Sequence, residues 1–170
     1  FSATFNRASG KKREEMKHLD IATSQLGIQE QPRGSNWGPE VGEYLKSVGI
    51  NFQASWCMAF VYWCHNEAAR QLGVPNPMAK TGGCLSQLSA RKANIVTAPQ
   101  AGDVFIMDHG DGKGHTGIVE STEGAFDHSV INAIEGNTND TGSRGSNKVR
   151  KGELSRLVED CGVPEGVDEI

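Results

Sequence analysis

An α+β fold, with N-terminal helices packed on a C-terminal antiparallel sheet, is predicted by three features of this chain. Apolar residues recur at helical spacing in three segments that end by Gly73. After Pro99 the texture changes to four short β-branched or aromatic runs, separated by glycine, asparagine and aspartate. The 170 residues are 36% hydrophobic and include 21 glycines, enough for one loop-rich domain with a core. A single domain over 1–170 is therefore expected, its core spanning residues 15–155 between short N-terminal and acidic C-terminal extensions.

Taken in order, residues 11–31 (KKREEMKHLDIATSQLGIQEQ) place Met16, Leu19, Ile21, Ala22 and Leu26 on one helical face. Pro32, Gly34, Ser35 and Asn36 then form a loop. Pro39 suits the first position of a second helix carrying Val41, Tyr44, Leu45 and Val48, which Gly49 ends. A third helix is predicted over 56–72, closed by Gly73 with Pro75 just beyond. The strands are expected at 103–107 (DVFIM), 115–121 (HTGIVES), 130–136 (VINAIEG) and 147–151 (NKVRK).

Charge and cysteine usage exclude several functions. A net charge of -4 and a pI near 5.7 provide no basic footprint for DNA or RNA. The longest apolar run, Met58 to Trp63, is far too short to span a bilayer. The chain opens FSATFNRASG without an initiator methionine, so a processed or trimmed protein is expected, with room for a lost leader. The four cysteines, Cys57, Cys64, Cys84 and Cys161, are too irregularly spaced for a disulfide framework. On one helix, Cys57 and Cys64 would lie about 10 Å apart along the axis, beyond the roughly 7 Å a disulfide tolerates. Neither CxxC nor HExxH occurs, and no metal or cofactor is expected.

Cys57 is the candidate nucleophile. Cys64, in mid-helix, reads as a small core hydrophobe. Cys57 instead falls at the helix start after a polar loop, with Ser55 as candidate N-cap. The partial positive charge of a helix N-terminus favours a thiolate there. A nucleophilic cysteine also needs a base, and the base an orienting group. Of five histidines, His18 lies on the charged first helix, and His65 follows Cys64, pointing away from Cys57. His128 falls in a hairpin loop and His109 in the GDGKG loop, whereas His115 opens a strand that fixes its backbone. Period-2 alternation puts His115, Gly117 and Val119 on one face, with Gly117 leaving room for substrate or for the cysteine helix. On the next strand Ile131, Ala133, Glu135 and Asn137 share a face, and either Glu135 or Asn137 can accept the imidazole N–H.

GKGHTG (112–117) matches the dinucleotide fingerprint G-x-G-x-x-G, but a β-branched strand follows it. That motif works only where it opens a helix onto the phosphates, so the nucleotide reading fails. Asp108 and Asp111 lack calcium-loop spacing.

The order Cys, then GH at a strand start, then E-x-N on the following strand resembles the CHAP family. These are cysteine- and histidine-dependent amidohydrolases/peptidases of papain-like fold. The matching pieces are SWCMAFVYWC, AGDVFIMDHGDGKGHTGIVE and IEGNTND, with GSNWGPEVGEYLKSVGI and NPMAKTGGC pointing to a bacterial and phage branch. The resemblance spans residues 20–155 and implies Cys57 as nucleophile, His115 as general base and then acid, Glu135 as orienter and Asn137 as a second polar partner. It implies hydrolysis of peptidoglycan amides, at the lactyl–L-Ala bond or within stems and cross-bridges, by a monomer that is secreted, periplasmic or wall-bound. No SH3-type wall-binding module accompanies the motifs, and an inhibitor or immunity protein remains an open partner. Asn36, Trp37 and Trp56 are candidate substrate contacts beside Gly117. The rival readings are a non-catalytic wall-binding module and a thiol amidase acting on a small γ-glutamyl or polyamine amide.

Overall fold

The computed structural model describes residues 16–123, 130–138 and 148–154. Four helices precede four strands: α1 (Lys17–Ser24), α2 (Pro39–Ser47), α3 (Cys57–Leu72), α4 (Cys84–Ala90), β1 (Val104–Asp108), β2 (Gly114–Glu123), β3 (Val130–Thr138) and β4 (Lys148–Leu154). The strands form one antiparallel sheet in the order β1-β2-β3-β4. The fold is α+β and consistent with the papain-like class, as the sequence predicts.

Helix α3 is the centre of the packing. It lies against α1 and α2 on one side and against β2 and β3 on the other. Ten of its residues are buried, Cys57, Phe60, Val61, Cys64 and Ala68 among them. Tyr44 of α2 meets Phe60 and Trp63 edge-on at 5.4 and 5.0 Å between ring centroids. Burial of side chains the size of Phe60, Met58 and Ile118 contributes about 1.5–3 kcal/mol each. From the sheet, Val104, Ile106, Ile118 and Ile134 join this core. Phe105, Val119, Ile131 and Ala133 form a smaller cluster of their own. Gly136 lets β3 approach α3 closely: a Cβ there would lie 2.7 Å from Trp56 and 2.9 Å from Phe60.

Three local expectations need correction. Helix α1 stops at Ser24, because Gly27 takes φ +91° and the chain turns to pair with β4. The Gly27 amide donates to the Val149 carbonyl at 3.1 Å, and the Val149 amide donates to Ile28 at 2.8 Å. Helix α4 is an element the sequence pattern does not announce; only Cys84 and Gln87 of its seven residues are buried. Helix α3 starts with Trp56, not Ser55, as its N-cap. The predicted ends of α2 and α3 are found, with Gly49 at φ +85° and Gly73 at φ +67°. His128, Cys161 and the terminal extensions lie outside the described residues.

His18 and His65 stack in the interior with centroids 4.2 Å apart. His65 bonds the Val61 carbonyl at 2.9 Å and His18 the Gly102 carbonyl at 2.7 Å. Burial, then the neighbouring His18, pushes His65 down to about 3, and burial also lowers His18. The unfolded chain therefore takes up protons below about pH 6.5 that the folded pair refuses, so stability falls as pH drops through that window. Thermal melts between pH 7 and 4 should show a falling midpoint, with a shallower slope in His65→Asn. An unchanged slope in that variant would exclude the pair as a cause.

Candidate active site

The site is assembled from one helix start and two neighbouring strands. At the α3 start the N-cap Trp56 makes no side-chain cap bond, and the first intrahelical bond is Phe60 N–H to Trp56 O at 2.8 Å. The Met58 amide hydrogen-bonds the Cys57 sulfur. Trp56 is fully buried, and its indole N–H donates to Glu30 Oε1 at 2.9 Å. It anchors the helix start in the core and presents nothing to a substrate, which corrects the expectation for it.

His115 is the second residue of β2, opposite Met107. Glu135 on β3 stands opposite Gly117, two residues beyond His115 along β2. Its carboxylate runs diagonally to His115, where Oε2 accepts from Nε2 at 2.7 Å. That bond leaves Nδ1 to act on the Cys57 thiol, and each of the two groups shifts the other toward its charged form. Two glycines make the diagonal passable. A Cβ at Gly117 would lie 2.7 Å from Phe105 and 2.8 Å from the Glu135 Cγ, and one at Gly152 would run into Glu135 Oε1. Gly117 thus makes room for the orienting carboxylate; the space is filled, and its assignment as a substrate contact is corrected.

The electrostatics follow from these contacts. Cys57 is held well below the ordinary thiol range, first by a hydrogen bond from Cys84 and then by His115 and the Met58 amide, against the opposing effect of burial. For His115, burial pulls downward, but hydrogen bonds and charge from Cys57 and Glu135 outweigh it and raise the imidazole to about 9. Both shifts run in the direction that favours a thiolate beside an imidazolium. Cys64 is the contrast: fully buried, with its thiol pushed well above the ordinary range by desolvation. A rate profile for an acylation step should rise as Cys57 ionises, well below the ordinary thiol range. It should fall as His115 loses its proton near pH 9, because the imidazolium is the acid for the leaving amine. A maximum above pH 10 would contradict this pairing.

Cys84 escapes sequence reasoning altogether. Its Sγ lies 3.7 Å from the Cys57 Sγ, and both residues open helices. Its closeness to β2 depends on Gly114, where a Cβ would sit 2.8 Å from the Cys84 Cβ. The one available signal was the glycine beside His115, whose tight neighbour the sequence leaves unnamed.

The remaining candidates are dispersed. Asn137 follows Glu135 at a shift in the β3–β4 register, with φ +57° and a half-buried side chain. Trp37 packs partly on the core and lines a shallow groove of about 690 Å³ with Gln31, Gly38, Glu40, Glu43 and Lys46. Cys57, His115 and Asn36 are not among its walls, so Trp37 belongs to a surface beside α2. Asn36 is half-buried at φ +52°. His109 is exposed in the β1–β2 turn, while half-buried His18 stacks on buried His65.

A cysteine at a helix start, its thiol lowered by a strand histidine that a neighbouring carboxylate holds, defines the papain-like class of thiol sites. The family model for the CHAP domain matches residues 49–137, just over half the chain, and the chain belongs to that family. The family is broadly one of amidases and peptidases directed at peptidoglycan. The match runs from the end of α2 through Asn137 and so contains Cys57, His115 and Glu135. Neither a curated protein nor a solved structure matches the chain.

Proposed function

We propose that the protein hydrolyses amide bonds of bacterial peptidoglycan through Cys57, His115 and Glu135. The observation that carries this reading is the 2.7 Å hydrogen bond from His115 Nε2 to Glu135 Oε2, on an imidazole that Cys57 and Glu135 together raise while it lowers the Cys57 thiol. The Cys57 thiolate attacks the amide carbonyl, and the N–H groups of the α3 first turn stabilise the oxyanion. His115 gives its proton to the leaving amine, then deprotonates the water that releases the acyl group and regenerates the thiolate. Glu135 holds the imidazole edge-on and favours its charged form. The substrate class implies that the protein works on the wall side of the membrane, after export.

The test is incubation with purified sacculi and mass spectrometry of the released fragments. New N-termini on L-Ala identify a muramoyl amidase, and new termini inside stems or bridges an endopeptidase. Intact sacculi, beside turnover of a γ-glutamyl or polyamine amide, would replace the substrate assignment and keep the thiol chemistry. Binding to sacculi without release of fragments or turnover of either amide would leave a wall-binding module.

A further inference from the structure

Acyl transfer from Cys57 needs one sulfur, yet two converge. Cys57 opens α3 and Cys84 opens α4, and their Sγ atoms lie 3.7 Å apart. A disulfide requires about 2.05 Å between sulfurs, so the two must close by less than about 2 Å to bond. Both residues are buried but retain a little surface, Cys57 6% and Cys84 8%, whereas Cys64 is 0% exposed. Among the described residues Cys57, Cys64 and Cys84 are not in disulfides. The thiolate is the species that attacks a peroxide, and a second thiol in contact intercepts the product before further oxidation.

We propose that Cys57 and Cys84 form a peroxide-sensitive dithiol, in which Cys84 is the resolving cysteine and the disulfide is a reversible off state of the site. The chemistry balances in two steps. The Cys57 thiolate attacks one oxygen of the peroxide, the O–O bond breaks, and the departing oxygen takes a proton to leave as water or an alcohol. The Cys84 sulfur then attacks the sulfenic Cys57 sulfur, the S–O bond breaks, and a second water leaves with the Cys84 proton. The cysteines together lose two electrons to the peroxide. An external dithiol returns them by exchange.

The consequence for activity rests on the proposed role of Cys57, but the disulfide itself does not, so the experiment reads sulfur chemistry and not wall hydrolysis. The full chain is treated with a small excess of hydrogen peroxide, and its cysteine peptides are mapped with and without dithiothreitol. The expected result is a peptide joining Cys57 to Cys84, with loss of iodoacetamide labelling at Cys57 and full recovery after reduction. Cys64 serves as the internal control and should stay unlinked. In Cys84→Ala the same dose should instead leave oxygen on Cys57 as sulfinic acid, with labelling lost and not recovered. Oxygenated Cys57 in the unsubstituted chain without the linked peptide would overturn the proposal, as would a link from Cys57 to Cys161. The peptide map of the unsubstituted chain decides the question even where the Cys84 variant folds poorly.

Discussion

Cys57→Ala should abolish solubilisation of sacculi, lowering the rate by roughly four to six orders of magnitude. The size follows from chemistry that no neighbour supplies. Cys64 is buried with its thiol pushed upward, and the rise of His115 comes from Cys57 and Glu135. His115→Ala should approach the same floor, since the thiolate loses its counter-charge and the leaving amine its acid. The double variant should be scarcely worse than either single one, because residues that act as a unit are not additive. Turbidity clearance with fragment analysis measures all three. Clearance by Cys57→Ala at an undiminished rate would remove the cysteine mechanism.

The second large effect is expected at Glu135. Glu135→Ala should reduce the rate about 10²- to 10⁴-fold, by freeing the imidazole and removing the charge that favours its protonated form. Glu135→Gln keeps an acceptor for Nε2 and should lose less, but the alkaline limb of the rate profile should move below pH 9. Gly152→Ala offers a test that leaves Glu135 in place. Its new Cβ would occupy the seat of Glu135 Oε1 and lie 3.0 Å from the carboxyl carbon. The rate should fall and the alkaline limb shift as in Glu135→Gln, whereas a merely destabilised sheet would lower the melting temperature without moving that limb.

Local sequence carries part of this site, and tertiary folding adds the rest. The Cys57 helix start, the His115 strand start and the polar end of β3 are short-range patterns, readable from spacing and turn residues. The choice of Glu135 over Asn137 as the partner of His115 Nε2 depends on register. Glu135 stands opposite Gly117, and that pairing alone aims its carboxylate across the glycine. Gly117 itself was legible as a gap, but not as a gap already filled. Cys84 was out of reach for the same kind of reason, since α4 has seven residues and meets Cys57 only through tertiary packing. The long first helix failed because Leu26 and Ile28 keep an apolar spacing while Gly27 turns them to the edge of β4. Propensity and periodicity describe a segment; strand pairing and close approach decide which side chains meet.

The central claim is that Cys57 rests as a thiolate paired with His115, and alkylation as a function of pH measures that most directly. Iodoacetamide at mildly acidic pH should label Cys57 well ahead of Cys64, with little change in rate as pH rises toward neutrality. In Glu135→Gln that preference should weaken as the imidazolium is destabilised. Equal, slow labelling of both cysteines, accelerating only near the ordinary thiol pKa of about 8.5, would contradict the account.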